Sequence, residues 1–400
     1  MPEHPIDRVD LDDLAATIAA LAPIERPPCS AGEREAGEWI ARRLEAAGCT
    51  VTIDEEQAFA EFAPALAQMT ALGLAAGALA LAGARRTAAA LGAAASAGIA
   101  DDISNGPRLF RRMTGSTATT TNVVAETGDP QGERTLVVLA HHDAAPSGHI
   151  FDPSGQQAFG ERFPGIIERM DTSLPLWFPV AAGPAIVGFG ARKRSTRLLA
   201  LGALLSAGST AAFADIARSP IVPGANDNLT AVAGIVALAE AFRDRPVPGL
   251  RVLLVSAGAE EALQGGMRAF AARHFPRLDR DRTWFLNLET VGSARLVLLE
   301  GEGPLVMEDY TRLEFRNLVA DTARAAKITL RRGMRSRAST DSVIASRAGY
   351  PTATLVSIDR HKELANYHQM SDTAENVNLT TVAKAVALTE LVAREIVQLR

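Results

Sequence analysis

Five short stretches of the chain carry acids and histidines of the kinds that bind metal ions and transfer protons. They lie at or just after the ends of apolar, strand-like runs, where α/β proteins build their sites. The sequence therefore predicts one site assembled from distant parts of the chain. In order, the stretches are residues 140–143, 224–228, 259–261, 287–289 and 367–368.

The first stretch has the spacing of a metal ligand and its supporting acid. The imidazole of His141 can bind zinc, and the carboxylate of Asp143 can hold the other ring nitrogen and so fix the tautomer. This short pattern is common by chance, and a hydrogen-bonded core histidine would also explain it. His142 points the opposite way on an extended backbone, so it is given no ligand role.

The second stretch is a turn that precedes a predicted helix. A carboxylate in such a turn is usually an N-cap. Asp227 could instead offer one oxygen to each of two metal ions, and Asn228 is expected to bind the backbone of the turn.

The remaining stretches supply three acids and a histidine. The adjacent carboxylates of Glu260 and Glu261 repel each other unless a cation or a proton intervenes. Because neighbouring side chains diverge, one can bind metal while the other faces a substrate water. Glu289 ends an apolar strand, where a lone carboxylate is hard to explain as core. His368 lies in a polar loop, and Asp372 is predicted to orient it.

Taken together and in this order, the motifs resemble metallopeptidase family 28, the di-zinc aminopeptidase-like exopeptidases. The resemblance covers residues 1–62, 118–145 and 222–400. It implies two zinc ions and no organic cofactor. Glutamate at the fourth motif is a departure, because the family usually has aspartate there. The implied ligands are His141 and Glu289 for one ion, Glu261 and His368 for the other, and Asp227 as the bridge.

The resemblance implies hydrolysis of a peptide substrate, most simply as a metalloaminopeptidase. Glu260 would be the general base, Asp143 would support the metal site, and Tyr367 could donate to the oxyanion or simply pack. Two alternatives stay open: a glutaminyl cyclase-like or amidohydrolase reaction on the same scaffold, and a catalytically silent, membrane-associated binding protein. The intact pair of Glu260 and Glu261 argues against the silent protein.

Strand-like and helix-like segments alternate along the chain. This alternation predicts a three-layer α/β/α sandwich with a central mixed, mostly parallel sheet, which would form a single zinc peptidase domain over residues 1–400. Strands are predicted near 122–125, 135–140, 250–255, 284–288 and 352–356, and helices near 11–18, 33–47, 231–243, 263–274, 312–325 and 381–399.

Two apolar segments, 63–117 and 146–221, interrupt this domain. Both are predicted to be helical hairpins with basic tips. The uncharged runs within them are 65–84, 88–100, 174–191 and 198–214, and the tips are Arg85-Arg86 and Arg192-Lys193-Arg194.

These hairpins predict association with a membrane, since about 20 apolar residues cross ~30 Å of hydrocarbon. The side on which the catalytic part lies stays open. If the hairpins do not associate with a membrane, the protein is expected to be cytoplasmic, with the hairpins packed on the enzyme or across a homodimer. Residues 1–12 lack the pattern of a signal peptide. A net charge of −5 argues against a nucleic-acid partner.

Overall fold

The computed structural model describes residues 4–399 and shows a mixed β-sheet between two layers of helices. The predicted three-layer α/β/α sandwich is therefore confirmed. Within the described residues the strands are β1 (Thr50–Phe59), β2 (Thr117–Gly128), β3 (Arg134–His141), β4 (Leu250–Ala257), β5 (Thr283–Glu289), β6 (Arg295–Glu302), β7 (Glu308–Asp309), β8 (Arg331–Ser336) and β9 (Thr352–Ile358).

The centre of the sheet is parallel, and its margins are antiparallel except for β8, which runs parallel to β6. The strand order is β1-β2-β4-β3-β5-β9-β6-β7, with β8 beside β6. Strands β4, β3, β5 and β9 run parallel to one another, so their carboxyl ends meet at one edge. Nearly all their residues are buried, as expected for strands covered on both faces.

The helices agree with the predicted ones to within a few residues at each end. Their bounds are α1 (Leu11–Leu21), α2 (Ala31–Ala46), α3 (Ala63–Leu81), α4 (Arg85–Ile103), α5 (Leu109–Thr114), α6 (Ser154–Arg162), α7 (Pro164–Arg169), α8 (Trp177–Lys193), α9 (Thr196–Ile216), α10 (Thr230–Asp244), α11 (Gly265–His274), α12 (Leu313–Ala325), α13 (Ser342–Arg347) and α14 (Leu379–Ile396).

Two apolar clusters hold these layers together. Helices α1, α2, α10, α12 and α14 pack over one face of the sheet in the larger cluster, and α11 and α13 pack over the other. The sequence-based prediction omits β1, β6, β7 and β8. Strands β1 and β8 are polar and largely unburied, so they lack the apolar run of a central strand, whereas β6 has such a run and could have been predicted.

The two apolar insertions form the predicted hairpins, α3 with α4 and α8 with α9, and these pack against each other as one four-helix bundle. Glycines allow the close approach: a Cβ on Gly92 would lie 2.6 Å from the carbonyl oxygen of Pro184. Helix α4 is longer than its uncharged run, because it also includes Arg85, Arg86, Asp101 and Asp102. We call α3, α4, α8 and α9 the bundle.

Each insertion leaves and re-enters the α/β/α sandwich at two points that lie close together. Phe59 of β1 pairs with Thr117 of β2 across the base of the first insertion. A bridge between Pro146 and Ile221 closes the second. The sheet can therefore keep its register whatever the insertions contain.

Candidate metal centre

The carboxyl edge of the parallel strands carries the predicted site residues. Strand β3 ends at His141, and β5 ends at Glu289. Glu260 and Glu261 follow the end of β4, and His368 lies in the loop after β9. The turn before α10 brings Asp227 to the same place, so the structure assembles every predicted site residue at one edge.

Asp227 joins two groups of ligand atoms. Its Oδ1 lies 3.3 Å from His141 Nε2, which in turn lies 3.3 Å from Glu289 Oε1. Its Oδ2 lies 3.5 Å from His368 Nε2, which lies 3.2 Å from Glu261 Oε2. Each group thus holds one histidine and two carboxylates, and Asp227 belongs to both.

These separations match the spacing of atoms around a tetrahedral zinc ion. Bonds of about 2.0–2.1 Å at tetrahedral angles place neighbouring ligand atoms roughly 3.3 Å apart. His368 Nε2 and Glu261 Oε1 are buried without a hydrogen-bond partner among residues 4–399. Since buried polar atoms are normally paired, the donor set fits a metal ion.

The charges of the site also call for a cation. Burial raises the pKa of Glu260 well above its usual range, and repulsion by Glu289 and Asp341 raises it further, against the opposing effect of His141. Burial likewise raises the pKa of Asp341 well above its usual range. Bound zinc would supply the positive charge that these buried carboxylates lack.

Asp143 holds the first histidine and both glutamates in place. Its two oxygens accept hydrogen bonds from the backbone N–H groups of Glu260, at 3.1 Å, and Glu261, at 2.9 Å. Its Oδ1 also faces His141 Nδ1 at 3.4 Å. This is the contact expected from the H-x-D spacing, and it leaves His141 Nε2 directed at the ligand group.

Asp372 supports Asp227 and makes no hydrogen bond to His368, contrary to the expectation from sequence. Its oxygens accept hydrogen bonds from the backbone N–H groups of Asn226, at 2.8 Å, and Asp227, at 3.1 Å. Asn228 binds backbone as expected, donating to Leu288 O. The turn that carries Asp227 is thus held from both sides.

Two buried charged residues beneath the site were missed by the sequence reasoning. Arg26 donates to the carbonyl oxygens of His142, at 2.7 Å, and Gly224, at 2.9 Å, and so ties two ligand-bearing loops together. Glu33 accepts hydrogen bonds from the N–H groups of Thr121 and Ala259. Burial lowers the pKa of Arg26 to about 10 and raises that of Glu33 to about 7. Their partners are distant in sequence, so no local signal marks them.

Aromatic rings cover the second histidine. The Tyr367 ring stacks on the His368 ring, with centroids 3.9 Å apart, and Phe151 from the second insertion packs edge-on against both. Burial, followed by the charges of Glu261 and Asp227, raises the pKa of the Tyr367 hydroxyl well above its usual range. The hydroxyl is therefore protonated and able to donate. His142 faces Ser256 Oγ at 2.9 Å, away from the ligand groups.

Comparison with protein families identifies the region that holds most of this site. The model for peptidase family M28 matches residues 209–392, which include Asp227, the two adjacent glutamates, Glu289 and His368. Over this region, slightly less than half of its length, the chain resembles peptidase family M28. It is accordingly a zinc metallopeptidase-like enzyme. His141 and Asp143 lie outside the match and enter the M28 site through the pairing of β3 with β4 and β5.

Several solved structures share the fold of this chain at low sequence identity. A zinc-dependent exopeptidase from Parabacteroides distasonis is 13% identical, with a TM-score of 0.56 over 96% of this chain and 98% of its own. An aminopeptidase from Aneurinibacillus sp. strain AM-1 is 14% identical, with a TM-score of 0.55 over 97% of this chain and 94% of its own. A glutaminyl cyclase from Bacteroides thetaiotaomicron is 12% identical, with a TM-score of 0.57 over 96% of this chain and 98% of its own. No curated protein sequence matches the chain.

The candidate ligand position at Glu289 is predicted to tolerate the shorter acid. Glu289→Asp should keep bound zinc, because aspartate offers the same carboxylate from the end of β5, whereas Glu289→Ala should lose zinc and activity. Elemental analysis of both purified variants checks this. Unchanged metal content and activity in Glu289→Ala would show that Glu289 is not a ligand.

Gln264 is predicted to position Glu260, a role that the sequence did not indicate. Its side-chain amide donates to Glu260 Oε1 at 2.7 Å and to Ser339 O at 3.0 Å. A hydrogen bond to a charged group contributes about 1.5–3 kcal/mol. Gln264→Leu should therefore lower kcat about tenfold or more, with KM and zinc content unchanged.

A second variant removes the anchor of that amide, together with a hydrogen bond that Asn105 accepts from Arg108. Asn105 donates to Gln264 Oε1 at 2.8 Å, so Asn105→Ala should lower kcat in the same direction by less. Steady-state kinetics with metal analysis measures both. A loss of zinc in Gln264→Leu, or an unchanged kcat, would show that Gln264 does not act through Glu260.

Proposed function

We propose that the protein is a two-zinc aminopeptidase that removes residues from the amino termini of peptides. The observation that carries this proposal is the placement of Asp227, whose two oxygens belong to two separate groups of ligand atoms. A shared carboxylate of this kind is what two adjacent metal ions need. His141 and Glu289 would hold one ion, and Glu261 and His368 the other.

The residues around these groups suit the hydrolysis of an amide. Two bound zinc ions would supply a water of lowered pKa and polarise the scissile carbonyl. Glu260 accepts the proton of that water as its oxygen bonds to the carbonyl carbon, and delivers the proton to the nitrogen when the C–N bond breaks. The Tyr367 hydroxyl donates to the carbonyl oxygen as negative charge develops there. Asp143 and Gln264 hold Glu260 in position.

A glutaminyl cyclase-like reaction is the rival on this scaffold, and a glutaminyl cyclase is among the similar folds. In that reaction the substrate's own amino nitrogen attacks its side-chain carbonyl and ammonia leaves, so no water is consumed. A silent binding protein is the second rival, but it would have no need of Glu260 and its positioning contacts. The second group of ligand atoms favours hydrolysis over both.

Three peptides distinguish these reactions. The zinc-loaded protein is expected to release leucine from a leucyl peptide with a free amino terminus and to leave the N-acetylated peptide intact. Mass spectrometry of an amino-terminal glutaminyl peptide should show gain of water and cleavage. Loss of ammonia without cleavage would establish the cyclase, and no reaction with any peptide would contradict an enzymatic role.

A further inference from the structure

The outer surface of the bundle is apolar on every side. No residue in 65–84, 174–191 or 198–214 is charged, and the side chains facing outward include Phe189, 54% exposed, and Leu204, 71% exposed. Helices α3 and α9 are long and apolar enough to cross a membrane. Only 44% of the most apolar stretch of α3, and 28% of that of α9, is buried within the protein. A surface of this composition needs an apolar partner.

Much of the interior of the bundle, in contrast, holds small and hydroxyl-bearing residues, although larger apolar side chains such as Met69, Ile99 and Phe213 are buried at its near end. A Cβ on Gly73 would lie 2.7 Å from Ser206 Oγ, and one on Gly202 would lie 2.6 Å from Val187 N. Thr210 donates to Thr70 Oγ1 between helices at 2.9 Å. A bundle in water buries its large apolar residues, whereas helices in lipid meet through small residues and interhelical hydrogen bonds.

The charge of the bundle is concentrated at the end far from the catalytic part. An apolar cluster that includes Ala80, Ala88, Ala191 and Leu199 joins the two tips, so they lie at the same end. No acidic residue lies in either tip. The exposed basic side chains there are Arg85, Arg86, Arg192, Lys193, Arg194 and Arg197.

Two of the arginines at the near end are engaged within the protein, whereas Arg112 and Arg218 are exposed there. Arg111 is 1% exposed, pairs with Asp102 and donates to Ala262 O at 3.0 Å. Arg108 is 4% exposed and donates to the carbonyl oxygen of Leu263. The charges of Arg108 and Arg111 cannot reach a phosphate headgroup, so the six basic residues of the tips form the larger exposed basic surface.

The length of the bundle matches the hydrocarbon layer of a bilayer. Its helices have 17 to 21 residues, which at about 1.5 Å per residue span roughly 26–31 Å; the layer is ~30 Å thick. At the near end Trp177 stacks on Phe213, with ring centroids 6.2 Å apart. Tryptophan is enriched where a membrane meets water.

We propose that the bundle is embedded in a lipid bilayer, with its basic tips among the anionic headgroups of the far leaflet and the catalytic part against the near leaflet. The apolar exterior of the bundle, the small residues in its interior, its length and its basic tips all fit a lipid bilayer. A second copy of the chain would cover one side of the bundle and leave the others in water.

The position of the active site follows from this placement. A pocket of about 100 Å³ reaches Glu261 and is walled by Phe62 and Ala63 at the start of α3 and by Ile216 and Ala217 at the end of α9. In the bilayer this opening lies at the near headgroups. Substrates would therefore reach the zinc centre at the membrane surface, a consequence that rests on the proposed function.

Flotation of the full-length protein tests the proposal. Protein purified in detergent is mixed with vesicles of phosphatidylcholine and phosphatidylglycerol, the detergent is removed, and the sample is centrifuged through a density gradient. The wild-type protein should float with the vesicles and resist carbonate extraction. Wild-type protein that stays at the bottom of the gradient, monodisperse or as dimers without detergent, would overturn the proposal.

Paired charge substitutions separate embedding from simple exposure. Ala94→Glu with Leu204→Glu places carboxylates midway along the outside of α4 and α9, and should reduce the floating fraction at least tenfold. The control, Leu11→Glu with Leu313→Glu, alters exposed leucines of the catalytic part and should float like the wild type. Equal flotation of both pairs would contradict embedding. Zinc content and circular dichroism confirm folding, and the wild-type result decides the question if a variant fails to fold.

Discussion

Glu260→Gln is expected to keep its bound zinc and to lose turnover by a factor of about 10²–10⁴, which is what a positioned general base contributes. The amide occupies the space of the carboxylate but cannot accept the proton of the attacking water. Its backbone N–H still donates to Asp143, so the adjacent Glu261 should stay in place. Single-turnover kinetics on the zinc-loaded variant, with elemental analysis of the same sample, measures both quantities.

The matched control for this variant is Glu261→Gln, one residue further along the chain. It should lose zinc as well as activity, because Glu261 Oε2 lies in the second group of ligand atoms beside His368. If Glu260→Gln loses zinc and Glu261→Gln keeps it, the roles of the two glutamates are exchanged.

Asp227→Ala is expected to weaken the binding of both zinc ions and to abolish activity. Removing an outer partner of a metal ligand commonly costs about 10–100-fold in affinity, and removing a ligand shared by two ions should cost more. Ligand binding stabilises a fold by about 4.1 kcal/mol when the ligand stands at 1,000 times its Kd. Zinc should therefore raise the Tm of the wild type and have little effect on the variant.

Asp309→Asn provides the matched control for that experiment. Its carboxylate is exposed and pairs with Arg335, away from the ligand groups. The control should retain zinc, activity and the zinc-dependent increase in Tm. Retention of both zinc ions by Asp227→Ala would show that Asp227 does not bridge them.

Most of the candidate ligands were predictable from sequence because they lie at or just after the end of an apolar run or in a turn beside a helix, whereas His368 lies in a polar loop after β9. Parallel strands then bring those ends together, which is a general property of the fold. The residues that hold the site residues in place were harder to predict from sequence. Arg26 and Glu33 act through contacts with residues distant in the chain. Gln264 donates to Glu260 only four residues away, but its position depends on the distant Ser339 and Asn105. Asp372 holds the backbone beside Asp227 rather than His368. Nothing in their local sequence indicates those partners.

Prediction of the insertions from sequence is limited in the same way, because their packing depends on contacts between distant segments. Composition predicted two apolar hairpins with basic tips, since uncharged runs and charged interruptions are visible locally. The packing of one hairpin on the other depends on glycines such as Gly92 and Gly202 meeting residues from a distant segment. The length of α4 was underestimated, because charged residues at both of its ends belong to the helix.

The most direct test of the central claim is the metal content of full-length protein purified without chelator. The two groups of ligand atoms joined by Asp227 predict two zinc ions per chain by plasma emission spectroscopy. A single ion in fully folded protein would contradict the shared carboxylate. The absence of bound zinc, even after incubation with excess zinc, would contradict the metal centre itself.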